Sequence, residues 1–484
     1  MDRPDAAKRI AQAEIRYGRI RKIEKVPAGS PENYYGVVLT QLPEHYRVFV
    51  RLKPSPESCI NAEIWLPSNG WNGRLLGLGN SGYGGRTNHT SLVHGLSRGF
   101  VTADSDLGTG PDPDALIGKK ERWADFGHRA THLMTDAAKS LIRAFYGIRP
   151  RYSYFMGGST GGQQGMMEAQ RYPEDYDGIV VFAPAHNRTR LHAYFLWNYL
   201  ALTASPSSRI GPREAGLIAR RIGEEFGARS GSMPGEAFLT CPERILDETG
   251  SFRWEIPKDF LGREQGKALE LIYSGAKNPR TGERLFEPFV PGGENLHLGL
   301  YEQGDRKNFP REFFYPFRWV FGKNFDPGKF DFDRDLETLD RQLGGLVNAV
   351  DPDLGKFRDA GGKMIMATGA SDPVIPCTGA LRYYREAVRA CGGAEETGKF
   401  FRCFLIPGMG HIFGGPGFQE AGLLGIPAVP RDREHDLLES VMAWREKGIG
   451  PEKMTAVSFR EGEYPCRIDR EREIFACPGE KEEF

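Results

Sequence analysis

This chain of 484 residues lacks the sequence features that commonly indicate binding to nucleic acid or to a membrane. Lysine plus arginine and aspartate plus glutamate both number 64, so the formal net charge is zero. Such a chain has no net electrostatic field that would attract nucleic acid or an anionic bilayer. It also has no run of about 18 apolar residues, the length that a membrane-spanning helix needs. We therefore expect neither nucleic acid nor a membrane as a partner, while the oligomeric state stays open.

Cysteine is scarce and forms no motif. None of the seven cysteines belongs to a Cys-x-x-Cys pair, which leaves zinc binding and thioredoxin-type chemistry without support. Their odd number favours a reducing compartment, although Cys466 and Cys477 are candidates for a pair. Residues 1–20 carry charges throughout and lack the apolar core of a secretory signal. These observations predict a cytoplasmic protein, or a secreted or periplasmic one if a signal was removed.

Strand and helix patterns alternate at the two ends of the chain. Alternating apolar positions in residues 46–67 predict antiparallel strands, and residues 99–106 predict a buried strand. The alternation indicates an α/β fold with a mostly parallel sheet covered on both faces. Aromatic residues, prolines and glycines interrupt this rhythm in the middle of the chain. We expect a core of residues 1–188 and 347–484 with a lid domain, residues 189–346, inserted between them.

The strongest local signal is the pattern Gly-x-Ser-x-Gly of residues 157–161, centred on Ser159. It directly follows the apolar run YSYFM and precedes the helix-like QQGMMEAQRY. The nucleophile elbow of the α/β-hydrolase fold requires this strand–turn–helix context, because the serine sits on a tight, strained turn flanked by small residues. A plain glycine-rich turn is the alternative. The context predicts an α/β-hydrolase fold with Ser159 as nucleophile.

A serine hydroxyl needs a general base, and in this fold the chain order is serine, acid, histidine. Of the ten histidines, His411 follows a late strand, FFRCFLIP, inside a glycine-rich loop. Asp372 follows the apolar run KMIMATGAS, where an acid that orients the histidine is expected, with a turn or helix-capping role as the alternative. Asp104 and Asp106 also end a strand, but they precede Ser159 and the chain order disfavours them.

Two backbone N–H groups should stabilise the oxyanion. Thr160, the residue after the nucleophile, supplies one, and Gly82 in the loop GLGNSGYGG is our candidate for the other. Gly77, Gly79 and Gly82 also form the pattern Gly-x-Gly-x-x-Gly, which occurs in dinucleotide-binding loops. No helix pattern follows it, so dinucleotide binding is disfavoured and we expect no cofactor.

With these residues in place, the chain resembles the tannase and feruloyl esterase family, which includes hydrolases of monohydroxyethyl terephthalate. The resemblance spans about residues 46–480 and is carried by WNGR with GLGNSGYGG, DFGHRATH, GGSTGGQQGMMEAQRYPEDYDGIVVFAPA, LIYSGAKNPRTGE, DPDLGKFRDAGGKMIMATGASDPVIP and FLIPGMGHIFGGPG, in the family's order. It implies an esterase of aromatic or phenolic acid esters with an inserted lid. The family's serine, aspartate and histidine match Ser159, Asp372 and His411.

The chain departs from the family in two places. Members usually carry a cysteine just before the nucleophile and another just after the histidine, joined by a disulfide, whereas this chain has Gly158 and Ile412 there. The predicted triad must then be held by packing and hydrogen bonds. The family's lid often holds calcium in an Asp-rich loop, but the corresponding LTCPERILDETGS lacks that acidic spacing, so we expect no metal.

The lid should shape the substrate pocket. The aromatic stretch FFYPFRWVF, residues 313–321, offers Phe317 and Trp319 to stack on an aromatic acyl group and Arg318 to meet a carboxylate or phenolic oxygen. Tyr273 is a further candidate contact, and for each of the four a place in the lid core is the alternative.

The sequence thus predicts a serine esterase that binds a small-molecule aromatic ester. Two alternatives stay open: a hydrolase of the same fold acting on peptide or lipid acyl groups, and a non-catalytic protein of this fold that binds phenolic ligands. The acyl group itself, whether galloyl, feruloyl or terephthaloyl, is not determined.

Overall fold

The computed structural model describes residues 6–29, 42–304, 313–423, 426–460, 462–463 and 466–478, with the backbone alone at 33–34 and 37–38. Residues 1–5 lie outside this part of the chain. They begin both the predicted core segment, residues 1–188, and the charged N-terminal stretch, residues 1–20. The strands are β1 Gly18–Val26, β2 Asn33–Tyr34, β3 Val37–Val38, β4 His45–Leu52, β5 Ile60–Pro67, β6 Arg74–Leu78, β7 Val101–Ser105, β8 Tyr152–Gly158, β9 Gly178–Phe182, β10 Lys363–Gly369, β11 Phe401–Ile406, β12 Lys453–Phe459 and β13 Ile468–Phe475.

Nine of these strands form one mixed sheet in the order β1-β4-β5-β7-β6-β8-β9-β10-β11. The pairs β1–β4, β4–β5 and β5–β7 are antiparallel, and every pair from β7–β6 to β10–β11 is parallel. The predicted antiparallel strands of residues 46–67 are confirmed as β4 and β5. Parallel strands place their carboxyl ends along one edge of a sheet, and this edge carries the predicted site.

The helices lie mainly in the crossovers between parallel strands and in the long segment after β9. They are α1 Ala6–Ala11, α2 His89–Ser97, α3 Lys120–Ala124, α4 Ala130–Tyr146, α5 Thr160–Arg171, α6 Arg188–Thr203, α7 Pro212–Phe226, α8 Arg263–Ser274, α9 Leu300–Gln303, α10 Tyr315–Phe321, α11 Arg334–Leu339, α12 Gly345–Val347, α13 Gly355–Asp359, α14 Cys377–Ala390, α15 Ala394–Gly398 and α16 Leu437–Lys447.

Both faces of the sheet are covered, as the strand sequences require. Successive residues of β6 face opposite sides: Leu75 packs in a cluster with residues of α4, whereas Leu76 packs with residues of α2 and α16. All five residues of β9 are buried, which is the pattern of a central parallel strand shielded on both faces. The α/β-hydrolase fold predicted from the sequence is confirmed.

The chain from residue 183 to residue 362, between β9 and β10, contributes no strand to the main sheet within its described part. It folds as α6 to α13 with irregular connections and builds an apolar cluster of its own. That cluster includes Tyr194, Ile218, Leu269 and Phe286, and it reaches the core at Val374. This segment contains the predicted lid, residues 189–346.

In the part of the chain that the structure describes, no helix combines the length and the apolar character needed to cross a bilayer. All seven cysteines are free thiols. Cys466 and Cys477 are therefore not joined, and the backbone N–H of Cys477 donates to the carbonyl of Cys403 in β11 at 2.7 Å.

Candidate active site

Ser159 occupies the turn between β8 and α5. Its φ of 57° lies in the left-handed region, which costs a non-glycine residue energy and therefore requires support from its surroundings. Close backbone packing supplies that support: a Cβ on Gly157 would lie 2.7 Å from the backbone of Gly161, and a Cβ on Gly161 would lie 2.9 Å from the Cα of Gly79. Glycines are thus needed on both sides of the serine, as the sequence pattern predicts for a nucleophile elbow.

Asp372 and His411 meet at the carboxyl ends of β10 and β11. His411 Nδ1 donates to Asp372 Oδ2 at 2.9 Å, while Asp372 Oδ1 accepts the backbone N–H groups of Val374 and Ile375 at 2.8 and 3.0 Å. The Asp372 side chain is fully buried and that of His411 is 16% exposed. Since Nδ1 is used as a donor, Nε2 of a neutral His411 is left as the proton acceptor.

Ser159 and His411 line the same cavity, whose volume is about 470 Å³. Within the described chain, the Ser159 hydroxyl makes no hydrogen bond, so it is open to a ligand in this cavity. Catalytic hydrogen bonds in free enzymes are often long and tighten only when substrate is bound.

The two residues predicted to stabilise the oxyanion, Thr160 and Gly82, lie at the same cavity as Ser159. Thr160 and Gly82 both line it, and neither of their N–H groups donates a hydrogen bond to another described residue. The Thr160 hydroxyl donates to the Gly82 carbonyl at 2.5 Å, which joins the start of α5 to the glycine loop. This arrangement is suited to receive an anionic oxygen.

The rest of the cavity wall is mostly apolar, with a small number of polar groups. The polar side chains include Arg188 and His192 of α6 and Tyr315 of α10. Burial, reinforced by the Arg188 charge, lowers the pKa of His192 to about 3. The apolar contribution comes from Ala185, Leu191, Phe195, Leu298, Phe313, Val374, Ile375 and Ile412.

The structure does not bring the predicted contacts of the aromatic stretch to this cavity. Phe317 and Trp319 are fully buried and pack in the apolar core, where the Trp319 indole N–H donates to the Pro113 carbonyl at 2.8 Å. Arg318 forms an ion pair with Asp114. Because residues 315–321 form a helix, only part of the stretch can face the serine.

The residues of the same stretch that do line the cavity are Phe313 and Tyr315, at the entry to α10. The predicted contacts in this stretch were Phe317, Arg318 and Trp319, and the residues that line the cavity differ because the direction of a short aromatic-rich helix depends on its tertiary partners.

Tyr273 also lies outside the cavity wall. It is almost fully buried in α8, and its hydroxyl donates to Glu294 Oε1 at 2.8 Å. Burial raises the pKa of Glu294 to about 7, while the hydrogen bonds from Tyr273 and from the Gly292 N–H oppose the shift. Tyr273 therefore supplies a hydrogen bond to the buried Glu294 carboxyl group in the interior of the inserted segment.

The raised pKa of Glu294 makes the effect of Glu294→Gln on stability depend on pH. The unfolded carboxyl ionises near its ordinary pKa of 4.5, whereas the folded one keeps its proton up to about pH 7. The folded state therefore binds more protons in this window, and the wild type loses stability as pH rises through it. We expect the stability of Glu294→Gln relative to wild type to increase by about 3 kcal/mol between pH 4.5 and 7 and then to level off. Urea unfolding at pH 4.5, 6 and 7.5 measures this difference, and a constant difference would contradict it.

Asp104 and Asp106, the disfavoured candidates for the acid, have structural partners. Asp104 accepts the N–H groups of Asn88 and Ser105 at 2.6 and 2.7 Å, and burial raises its pKa to about 8. Asp106 accepts two hydrogen bonds from Asn61, at 2.9 and 2.6 Å. Neither aspartate lines the cavity.

Gly158 and Ile412, the positions of the missing cysteines, are in contact. A Cβ on Gly158 would lie 3.1 Å from Ile412 Cδ1, so the isoleucine side chain fills the space next to the glycine. Ile412 has a φ of 67°, which is rare for a β-branched residue. The loop that carries His411 is thus held against the elbow by van der Waals packing.

One cluster of described residues has the spacing of a metal site. The ligand atoms of His132, Glu168 and Asp175 lie within 4.8 Å of one another. His132 Nδ1 donates to Asp175 at 2.6 Å, and Lys139 Nζ lies 3.4 Å from the same carboxylate. Burial, followed by the charge of Asp175, raises the pKa of Glu168 well above its ordinary value. His132 and Lys139 thus already contact the Asp175 carboxylate, and this cluster does not line the cavity.

Sequence reasoning missed Arg188 and His192 as cavity residues. The available signal was position: both follow β9 by only a few residues, so they begin at the same edge of the sheet as Ser159. The chain order of the triad indicates only which histidine acts as the base, so it carries no information on other histidines of the cavity wall such as His192.

The mixed sheet, the elbow at Ser159 and the later strand ends that carry Asp372 and His411 define a hydrolase of the α/β-hydrolase fold. Residues 47–229 and 239–481 match the family described as "Tannase and feruloyl esterase". The chain belongs to this family and is a carboxylic ester hydrolase.

Several relatives support this assignment. An uncharacterized esterase of Xanthomonas campestris pv. campestris is 32% identical over 94% of this chain and 84% of its own. A probable feruloyl esterase B-1 of Aspergillus terreus is 28% identical over 90% of this chain and 84% of its own. The crystal structure of an esterase from Aspergillus oryzae superposes with a TM-score of 0.83 at 25% identity and covers 98% of this chain and 96% of that one.

Proposed function

We propose that this chain is a serine esterase that hydrolyses aromatic carboxylic esters through an acyl-enzyme intermediate, with Ser159, His411 and Asp372 as the catalytic triad. The observation that carries the proposal is the meeting of three elements at one cavity. These are a strained serine at an elbow, a histidine whose Nδ1 is fixed by a buried carboxylate, and two free backbone N–H groups.

Acylation begins when Ser159 Oγ attacks the ester carbonyl carbon and its proton passes to His411 Nε2. Asp372 accepts the Nδ1–H throughout, which keeps the tautomer and stabilises the imidazolium. The carbonyl oxygen becomes an anion and is held by the N–H groups of Thr160 and Gly82. The bond to the alcohol oxygen then breaks, and the proton on Nε2 moves to the leaving alcohol.

Deacylation repeats these steps with water. His411 Nε2 takes a proton from a water molecule, whose oxygen attacks the acyl carbon, and the same two N–H groups hold the second oxyanion. When the bond to Ser159 breaks, Nε2 returns the proton to Oγ and the carboxylic acid is released.

An aromatic acyl group fits the composition of the cavity. Phe195, Phe313 and Tyr315 supply aromatic surface, and a volume of about 470 Å³ is adequate for one phenolic or cinnamic acyl group. Relatives of this chain are named feruloyl esterases, and a tannin acyl hydrolase shares its fold. We extend the aromatic acyl class to this chain on these grounds.

The segment of residues 189–346 would act as the lid. It contributes Leu191, His192 and Phe195 from α6 and Tyr315 from α10 to the cavity, so it closes the site above the edge of the sheet. We also propose a cytoplasmic location on the ground that all seven cysteines are free thiols, as in proteins of reducing compartments.

Labelling with a fluorophosphonate tests the proposed function. We expect one adduct on Ser159, found by mass spectrometry of the digested protein, together with turnover of methyl esters of hydroxycinnamic or hydroxybenzoic acids. The absence of an adduct would instead favour a non-catalytic binding protein. An adduct combined with turnover of only peptide or long-chain acyl substrates would favour the other acyl classes.

A further inference from the structure

Arg188 is a buried cation next to the start of α5. It is 3% exposed and begins α6, just beyond the end of β9. Its Nη1 donates to the Tyr315 hydroxyl at 2.7 Å, its Nη2 donates to Thr160 Oγ1 at 3.0 Å, and its Cζ lies 5.1 Å from the centre of the Phe126 ring. The guanidinium is thereby fixed beside the residue that follows the nucleophile.

The charge of Arg188 is not balanced by the protein. Its two hydrogen-bond acceptors are neutral hydroxyls, its buried Nε has no partner, and no acidic group of the described chain forms an ion pair with it. Burying a cation without an anion is costly, and buried charges are normally paired, as Arg190 of the same helix is with Asp340 at 2.7 Å. Proteins commonly bear such a cost at sites where activity requires it.

The hydrogen bonds that join Arg188, Thr160 and Gly82 can run in one direction only. A guanidinium donates and cannot accept, whereas a carbonyl accepts and cannot donate. The Thr160 hydroxyl therefore accepts from Arg188 and donates its proton to the Gly82 carbonyl, at 2.5 Å. A charged donor polarises the hydroxyl and strengthens the next bond. The cation is thus linked to both residues whose N–H groups are the proposed oxyanion donors.

The Thr160 hydroxyl is the contact that bears on Gly82 itself. Gly82 has a φ of 56°, and a Cβ on it would meet no atom of the described chain within 4 Å, so packing on that side does not fix it. The same loop is bonded to α5 at a second place. There the Asn80 carbonyl accepts the Gly161 N–H at 2.8 Å, and the Asn80 N–H donates to Gln164 Oε1 at 2.9 Å. Loss of the hydroxyl should therefore free Gly82 without detaching the loop.

We propose that Arg188 is a positioning residue of the oxyanion hole, which holds Thr160 and Gly82 in the arrangement that receives the oxyanion. This inference rests on the proposed esterase function and adds a residue to its machinery. The largely apolar cavity wall screens charge weakly, so the cation matters most when negative charge develops on the substrate oxygen. Arg188 should therefore act on kcat rather than on the affinity for a neutral ester.

Replacing Arg188 separates this role from a purely structural one. We expect Arg188→Met to lower kcat for methyl ferulate by about 100-fold and to change KM by less than about threefold, as for the loss of an oxyanion donor. Arg188→Lys should recover part of kcat because the charge remains. The Tm of Arg188→Met should equal or exceed that of the wild type, since an unpaired buried charge is removed. Arg190→Met, which replaces a paired arginine outside the cavity wall, should leave kcat unchanged.

Thr160→Val tests the route by which Arg188 acts. This substitution removes the hydroxyl between Arg188 and Gly82 but keeps the shape of the side chain and the backbone N–H. Because both substitutions break one chain of hydrogen bonds, the double variant should be no more than about threefold slower than the slower single variant. Single losses that multiply in the double variant would overturn the route through Thr160, and the proposal with it.

Phenylboronic acid supplies a readout that damage to the fold would not imitate. Its boron bonds to the Ser159 oxygen, the serine proton passes to His411, and one oxygen of the tetrahedral boronate occupies the oxyanion position. We expect its Ki to rise by about 30-fold in Arg188→Met, while the Kd of methyl ferulate, measured by calorimetry in the Ser159→Ala background, changes by less than about threefold.

The outcomes for the inference and for the esterase proposal can be told apart. Equal weakening of the boronic acid and the ester in Arg188→Met, with an active wild type, would overturn the role of Arg188 and leave the esterase proposal standing. A wild type that neither turns over aromatic esters nor binds the boronic acid would overturn the esterase proposal, and this inference with it.

Discussion

Replacing Ser159 by alanine should lower kcat for an aromatic ester by about 10⁶-fold, to a level set by the remaining oxyanion donors. The variant keeps the elbow but loses the Oγ that forms the acyl bond. The φ of 57° places Ser159 on the turn at the start of α5, and after the substitution this position has no hydroxyl. Initial rates with methyl ferulate, at saturating substrate and high enzyme concentration, measure the loss.

The control for this substitution is Ser153→Ala. Ser153 lies on the same strand, β8, and is buried away from the cavity, so its replacement removes a hydroxyl without touching the site. Both variants should retain the far-ultraviolet circular dichroism of the wild type. A Ser159→Ala enzyme with more than about a hundredth of wild-type kcat would refute the nucleophile assignment, given the much larger losses typical of such nucleophiles.

Replacing Asp372 by asparagine should lower kcat by about 10⁴-fold. An amide can present its NH₂ group to His411, which favours the tautomer with the proton on Nε2 and removes the base. The two backbone N–H groups that reach Oδ1 need an acceptor there, and this fixes the side chain so that the amide NH₂ points at the histidine. Initial rates of both enzymes with the same aromatic ester at saturating substrate measure the loss.

Asp104→Asn and Asp106→Asn are the control variants with which the loss of kcat in Asp372→Asn is compared. Both aspartates accept backbone N–H groups around β7 and lie outside the cavity, so their replacement should affect stability more than kcat. Thermal unfolding followed by circular dichroism separates the two effects. If either variant loses more kcat than Asp372→Asn while still folded, the acid has been assigned to the wrong aspartate.

The elbow could be predicted from the sequence because its requirements are local. A buried strand, small residues on both sides of Ser159 and a following helix are all contiguous in the chain. Gly157 and Gly161 are explained by close backbone approaches in the structure. The contact between Asp372 and His411 is distant in sequence. This contact could still be anticipated, because parallel strands bring their carboxyl ends to one edge of the sheet. The α/β-hydrolase fold also fixes the order of serine, acid and histidine along the chain.

The substrate contacts could not be predicted in the same way. Arg318 and Tyr273 have the chemistry of binding residues, but their partners, Asp114 and Glu294, lie far along the chain and are set by how the inserted helices pack. Arg188 begins α6, and its short distance from β9 along the chain does not show whether its side chain is buried. Only the structure reveals that it is buried and that no acid of the described chain accompanies it.

The contact between Gly158 and Ile412 has a consequence for the conditions under which this esterase works. A disulfide at these positions would open in strong reductant, whereas an isoleucine seated against a glycine is indifferent to the thiol–disulfide balance around it. The alignment of His411 with the elbow should therefore be the same in the presence and absence of dithiothreitol. Thermal motion disrupts a packing contact more easily than a covalent bond. The Gly158–Ile412 contact should therefore be less resistant to heat than a disulfide, but insensitive to reductants.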